Sequence, residues 1–365
     1  MVNIQQQPRL VSLATAVPPH VLRQGDVELL AKGLFEDALE GGASLMKVFG
    51  HAQIDQRNVS APLEWFSKEH SFGEKNDLYL VQAEALAFEA TQLALSRAGL
   101  LARDIDRVVF VSSTGLATPT VDARLANTMD FRPDVRRTPI WGLGCSGGAA
   151  GLAHARDLAR ADPTARVLLV AVELCSLTFQ RHDLSKRNLV AASIFGDGAA
   201  AAIIVGSEVV PCKGDGRRPL RLVASRSMLW KDTLDVMGWG VDGDGLHVVF
   251  SRDIPTIVHE KLRPSMASFL AECGLGFEDL DHIAVHPGGA KVLRAYADAL
   301  GLAPPAFRHA REVLRDHGNM SSPSCLFVLD RFLEAGEIAA GDTAIIAALG
   351  PGFCAEYVLA EGDAG

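Results

Sequence analysis

The chain repeats itself. Residues 95–111 read LSRAGLLARDIDRVVFV and residues 270–286 read LAECGLGFEDLDHIAVH. Both run from a helix end through Gly-Leu and a short linker to an Asp-Ile/Leu-Asp turn and a β-branched strand. The offset is 175 residues, from 95 to 270. It carries Gly144 and Cys145 onto Asn319 and Met320, in HGNMSSPSCLFVLDRFLEAG, again a turn running into a helix. A slightly larger offset carries ARVLLVAVE (from Ala165) onto DTAIIAALG (from Asp342), two buried-strand runs. Three segments in one order at nearly one offset describe two similar halves, 1–207 and 220–365. The Gly- and Pro-rich segment GSEVVPCKGDGRRPL joins them.

A chain of 365 residues exceeds one small core and suits such a duplication. Within each half, apolar strand runs alternate with long helices, an α/β pattern. LYLVQAEALAFEATQLALSRAGL predicts a helix closed by Gly99, and Pro323 stands as a first-turn proline. The strands lack polar alternation, which predicts parallel sheets covered by helices on both faces.

Composition narrows the function. Hydrophobic residues make up 48% and charged residues 22%, as in an ordinary soluble globular chain. A net charge of −9 argues against nonspecific nucleic-acid binding, while leaving room for a local basic patch toward an anionic substrate. The first residues carry no signal-peptide pattern, and no apolar run reaches membrane-spanning length, so a cytoplasmic protein without membrane insertion is expected. The six cysteines are scattered with no C-x-x-C pair, which gives neither a zinc site nor a disulfide framework and fits a reducing compartment. VDGDGLH (from Val241) looks faintly like a calcium loop. It lacks the remaining ligands and the terminal Glu, and reads as a tight turn between strands.

One stretch carries chemistry. In WGLGCSGGAAGLAHARDLA, Cys145 stands between an apolar run and an alanine-rich helix. A cysteine at a helix N-terminus feels the positive end of the dipole, which favours the thiolate. His286 follows the repeated strand, and in open α/β sheets ligands bind at strand C-termini. Asn319 is the repeat counterpart of the cysteine turn. Singly, such a His is more often a core residue and such an Asn a helix cap. Placed on a pseudo-two-fold repeat, the three are expected to converge. An imidazolium at His286 would lower the thiol pKa further. The thiolate can attack a thioester, and His286 and Asn319 can donate to an oxygen where charge develops. Two donors without a carboxylate base suit an enolate made by decarboxylation.

These residues bring the chain close to a known family. Through GLGCSGGAAG, FGDGAAAAIIVGSE (from Phe195), HPGGAKVL (from His286), HGNMSSPSCLFVLD (from His317) and ALGPGFCAEYVL (from Ala348), it resembles the type III polyketide synthases, the chalcone and stilbene synthase group with its bacterial pyrone and resorcinol synthases. The resemblance covers almost the whole chain. It implies a thiolase-like, duplicated, five-layered αβαβα fold and a homodimer. It implies a Cys145 nucleophile completed by His286 and Asn319. Acyl-CoA and malonyl-CoA are then substrates, and no cofactor or metal is implied.

The resemblance also implies pocket residues. Phe195 matches a gatekeeper phenylalanine, whereas Val248 stands where the second gatekeeper would be. Thr178 and Ser321 match cavity-wall positions. Thr118 falls where plant enzymes place a methionine reaching into the partner's cavity. Gly350, Pro351 and Gly352 match a cavity-shaping loop. Lys47 matches one cationic position of a CoA-binding helix and His51 replaces another, so a carrier protein stands as an alternative acyl donor. Small wall residues favour a medium- or long-chain fatty acyl starter, extended with malonyl-CoA and cyclised to an alkylpyrone or alkylresorcinol. A ketoacyl-carrier-protein synthase III making one condensation is the alternative, against which GNMSSP and GPG speak. A Cys-His-Asn peptidase and a noncatalytic acyl-binding relative are more remote.

Overall fold

The computed structural model describes residues 7–35, 42–210 and 214–364. The start of the chain and Cys212, in the expected junction, lie outside these residues. The first half contains β1 (Arg9–Ala16), β2 (His20–Arg23), α1 (Gln24–Phe35), α2 (Gly42–Leu45), α3 (Lys47–His51), β3 (Gln56–Val59), α4 (Leu63–Phe66), α5 (Phe72–Ala98), β4 (Arg107–Val111), α6 (Val121–Thr128), β5 (Arg136–Ile140), α7 (Gly147–Ala161), β6 (Arg166–Leu174), α8 (Lys186–Ile194) and β7 (Asp197–Val205). The second contains β8 (Leu220–Leu229), β9 (Met237–Asp242), β10 (Gly245–Phe250), α9 (Ile254–Glu272), β11 (His282–Val285), α10 (Ala290–Leu300), α11 (Arg308–His317), α12 (Pro323–Glu334), β12 (Thr343–Gly350) and β13 (Cys354–Gly362).

The repeat has a local physical basis. Gly99 closes α5 in the left-handed region at φ 66°, and Gly274 follows α9 at φ 78°. A short 3₁₀ turn comes next in both halves. Asp104 accepts from the Leu101 N–H at 2.8 Å, and Asp279 accepts from the Gly276 N–H at 2.7 Å. Each turn then delivers a parallel strand, β4 beside β6 and β11 beside β12. At the other end of α5, Ser71 and Glu74 form a reciprocal capping box.

The main sheet runs β11-β12-β13-β8-β1-β7-β6-β4-β5. Its two arms, β8-β13-β12-β11 and β1-β7-β6-β4, have the same order and meet where β1 pairs with β8. Helices α7 and α12 lie between the arms; α7 packs on β6 and β4 from one side and on β13 and β12 from the other. Helix α5 covers the outer face of β1, β7 and β6. Helix α9 covers the other arm, with the Phe269 ring stacked on Tyr357 at 5.8 Å. The layers are therefore αβαβα. Alternation is strict on β6: Val167, Leu169 and Ala171 face the central helices, while Leu168, Val170 and Val172 face α5.

The expectation of parallel sheets holds only for β4-β5, β4-β6 and β11-β12. The β1-β7, β6-β7, β12-β13 and β8-β13 pairs are antiparallel. Strands buried between two helix layers read as continuous apolar runs whichever way they point, so the pattern reports burial and not direction. The VDGDGLH segment is the turn between β9 and β10, as expected. Asp242 holds His247 at 2.8 Å and accepts from the Asp244 N–H at 2.9 Å.

Candidate active site

Cys145 lies in a 3₁₀ turn, Gly144–Ser146, that runs directly into α7. The turn is gripped from both halves. From the first, the Ser113 hydroxyl after β4 accepts from the Gly144 N–H at 3.0 Å and the Gly142 N–H at 3.3 Å. From the second, the Gly350-Pro351-Gly352 turn packs against it. A Cβ on Gly350 would sit 2.2 Å from the Ser146 hydroxyl, and one on Gly144 would sit 2.9 Å from the Pro351 ring. The close approach of α7 to α12 likewise needs glycine, since a Cβ on Gly148 would fall 2.1 Å from the Ser322 carbonyl oxygen.

Asn319 reaches this turn from the loop between α11 and α12. Its backbone bridges to Phe195: the Asn319 N–H donates to Ile194 at 2.7 Å, and its carbonyl accepts from the Gly196 N–H at 3.0 Å. Its carboxamide is oriented at both ends. The oxygen accepts from the Ser321 N–H at 2.8 Å, and the nitrogen donates to the Gly288 carbonyl at 3.2 Å. Ser321 holds a left-handed backbone at φ 55° to do this. His286 extends β11 by donating its N–H to Ala347 at 2.8 Å, and its ring lies next to Gly288. The repeat thus brings Cys145, His286 and Asn319 to one place, with Ser321 among them.

The electrostatics of the site are set by its burial. Burial pushes the Cys145 thiol up to about 12, with the Glu173 charge acting in the same direction; Ser321 and Asn319 approach the sulfur as donors and oppose this. Burial pushes the His286 imidazole down to about 3. Neither ring nitrogen has a hydrogen-bond partner among the described residues. Burial therefore opposes a lone thiolate at Cys145 and a lone imidazolium at His286, because each charge alone is costly in this enclosure.

Phe195 is buried at the end of α8 and meets Trp239 and Phe250 at ring separations of 6.1 and 5.7 Å. Val248 joins this cluster. The aromatic contact expected at position 248 therefore comes from Phe250, two residues along the same strand face. Thr178 is buried with its hydroxyl donating to Cys175 at 2.8 Å. Thr118 is exposed before α6 and lines none of the chambers around Thr178, and Lys47 is exposed on α3.

An apolar chamber of about 70 Å³ opens beside Phe195, Thr178 and Val248. Its far wall is formed by Leu30, Leu34 and Phe66.

Two supports of the site have no counterpart among the residues expected from the sequence. Fully buried Arg57 donates to the carbonyls of Ala192, Ser193 and Phe195 at 2.8–2.9 Å and to Gln24, fixing the segment that carries Phe195. Glu173, at the end of β6, accepts from the Ser113 N–H at 2.9 Å, the Thr114 hydroxyl at 2.8 Å and the Ser322 hydroxyl at 3.0 Å. It ties both halves of the site together. A glutamate inside the apolar run ARVLLVAVE is the signal in the sequence that points to it.

Burial raises the Glu173 carboxyl to about 7, against hydrogen bonds that lower it. The folded state therefore holds this proton more tightly than the unfolded chain, and stability from it is lost as pH rises from about 4.5 to about 7. Glu173→Gln can keep all three contacts, with Ser322 turned to accept. In urea denaturation the variant is expected to exceed wild type at pH 8, by an amount on the order of 3 kcal/mol at 1.36 kcal/mol per unit. The difference should shrink to near zero by pH 4, below the unfolded value. An equal difference at pH 4 and pH 8 would mean the carboxyl does not titrate there.

Comparisons with known proteins agree along the full length. The family model for chalcone and stilbene synthases, N-terminal domain, matches residues 4–209, and that for the C-terminal domain matches residues 222–362. A putative chalcone synthase of Bacillus subtilis (strain 168) is 39% identical over 355 residues, covering 96% of this chain and 97% of the relative. A 1,3,6,8-tetrahydroxynaphthalene synthase of Streptomyces peucetius subsp. caesius is 40% identical over 354 residues, covering 96% and 92%. The crystal structure of 1,3,6,8-tetrahydroxynaphthalene synthase from Streptomyces coelicolor A3(2), a bacterial type III polyketide synthase, superposes with a TM-score of 0.91 at 31% identity, covering 98% of this chain and 100% of that one.

Proposed function

The chain belongs to the chalcone and stilbene synthase family, the type III polyketide synthases, and from that premise we propose that it extends a medium- or long-chain fatty acyl starter held on Cys145. It is a decarboxylative condensing acyltransferase acting on acyl-CoA and malonyl-CoA.

In this reading the Cys145 thiol passes its proton to His286 as the sulfur attacks the starter thioester, and coenzyme A leaves with that proton. The proton transfer makes two opposite charges at once, so each offsets the other's burial. Malonyl-CoA then loses CO₂. The electron pair moves to the thioester oxygen, where His286 and the Asn319 carboxamide donate to the enolate. The enolate carbon attacks the acyl group on sulfur and releases the thiolate. After a few rounds the chain closes to an alkylpyrone by lactonisation or to an alkylresorcinol by aldol closure.

The observation that carries the starter assignment is the apolar chamber beside Phe195, whose aliphatic wall suits an alkyl chain and offers little to a polar one. Each methylene kept out of such a chamber costs roughly 0.8 kcal/mol, so excluding two costs about tenfold in kcat/KM. Leu34→Trp is expected to reduce extension of dodecanoyl-CoA by at least about that factor and to spare hexanoyl-CoA. Equal loss for both starters would overturn the assignment.

A second reading rests on the tetrahydroxynaphthalene synthases among the relatives, whose named product carries no alkyl chain. Incubation with malonyl-CoA alone, followed by mass spectrometry, separates the two. A cytoplasmic homodimer completes the proposal. Among the described residues, strand β5 leaves one edge of the sheet unpaired, next to exposed Trp141 and Leu116. Among the described residues no helix is long and apolar enough to cross a membrane.

A further inference from the structure

The wall that faces Phe195 is not part of the main sheet. Strands β9 and β10 form a separate two-stranded ribbon, and it carries Trp239, Val248 and Phe250. A lone hairpin is at best marginally stable in water, so its position depends on what pins it.

One buried chain of hydrogen bonds does so. Lys75, in the first turns of α5, is 8% exposed, and Gln180, after Thr178, is 6% exposed. The Lys75 ammonium donates to the Gln180 side-chain oxygen at 2.8 Å and to the Phe179 carbonyl at 3.0 Å. The Gln180 side-chain nitrogen donates to the Leu246 carbonyl at 3.0 Å and the Asp244 carbonyl at 3.2 Å. Those two carbonyls lie at the closed end of the hairpin. Gly245 between them, at φ 114°, lets the turn close onto Phe72 of α5; a Cβ there would meet that ring at 2.8 Å. Lys75 and Gln180 also line a small gap of about 10 Å³ behind Thr114 and Thr178. The strap thus joins α5, the Thr178 wall and the hairpin that bears Val248.

We propose that Lys75 and Gln180 are positioning residues that hold the β9–β10 hairpin against Phe195 and so set which starter lengths the site accepts. This rests on the alkyl-starter reading above. A lysine is suited to the task because its ammonium spans two acceptors on one segment. The glutamine relays that constraint, accepting at one end and donating twice at the other. Burial makes these bonds directional and makes their loss felt.

The test compares wild type with Gln180→Leu, Gln180→Glu, Lys75→Met and Lys75→Arg on an equimolar pool of hexanoyl-, decanoyl- and tetradecanoyl-CoA with malonyl-CoA. Products are quantified by mass spectrometry, and conversion of malonyl-CoA to acetyl-CoA is measured separately. Gln180→Leu and Lys75→Met are expected to change the long-to-short product ratio by about fivefold or more, the scale of one lost buried hydrogen bond. Decarboxylation should stay within about twofold of wild type, because nothing in the strap touches His286 or Asn319. Gln180→Glu keeps an acceptor for Lys75 but turns a carboxylate toward two carbonyls, and should shift the ratio even if Gln180→Leu fails to fold. Lys75→Arg retains the donors and should restore the wild-type ratio. An unchanged ratio in the folded variants, or a parallel fall for all starters together with decarboxylation, would overturn the proposal. Absence of wild-type product from every alkyl starter would instead overturn the starter assignment.

Discussion

Replacing Cys145 by alanine is expected to abolish acyl loading outright. Intact-protein mass spectrometry after incubation with an acyl-CoA should show the acyl adduct on wild type and none on Cys145→Ala. The effect is total because the variant lacks the sulfur that Ser321 and Asn319 approach. Among the described residues, Cys325 directs its thiol to Ser322, Cys354 directs its thiol to Ser146 and Pro351, and Cys175 packs with Ala191 and Phe195. The substitution removes one sulfur from a turn held by backbone contacts through Ser113 and Gly350, so the fold should survive it. Loss of CO₂ from malonyl-CoA needs donors for an enolate and not the thiol, so Cys145→Ala should retain decarboxylation. An acyl adduct on the variant would show that the nucleophile lies elsewhere.

The complementary variant, Asn319→Ala, is expected to reverse that pattern. Its carboxamide is fixed by Ser321 at the oxygen and Gly288 at the nitrogen, so it meets a developing enolate without reorganisation. Removing one such donor costs roughly 10²–10³-fold in rate. Decarboxylation of malonyl-CoA should fall by about that factor, while acyl loading of Cys145 falls much less. The backbone bridge from Asn319 to Phe195 does not depend on the side chain and should persist. Equal losses in the two half-reactions would mean that Asn319 serves the thiol and not the enolate.

Much of this site is legible in the amino-acid sequence. The internal repeat places Cys145 and Asn319 on equivalent turns, because each half needs the same strand-turn-helix connection to deliver a residue to the central seam. His286 is legible as a residue at the end of a buried strand. The burial that opposes each charge there is not, since it is a property of the assembled walls. The sequence flags Glu173 as a charge in an apolar run, but the partners of Glu173 and Arg57 escape it for a related reason. Each serves partners remote in the chain, Ser322 for the first and Phe195 for the second, and no local pattern announces such pairings.

Val248 illustrates the same limit. Its place in GLHVVFSRDIP identifies a small residue where an aromatic one is expected. Nothing in that stretch reveals that Phe250 and Trp239 supply the ring contacts with Phe195.

By itself the sequence determined the duplication, the αβ alternation and the three residues, Cys145, His286 and Asn319, that meet at the seam. These follow from local spacing and residue chemistry, which survive in one dimension. Tertiary structure alone decided strand direction, the shape of the chamber at Phe195 and the strap from Lys75 to the hairpin. Each of these depends on surfaces contributed by segments far apart in the chain. Close packing between them, not any pattern along one of them, sets the distances that matter.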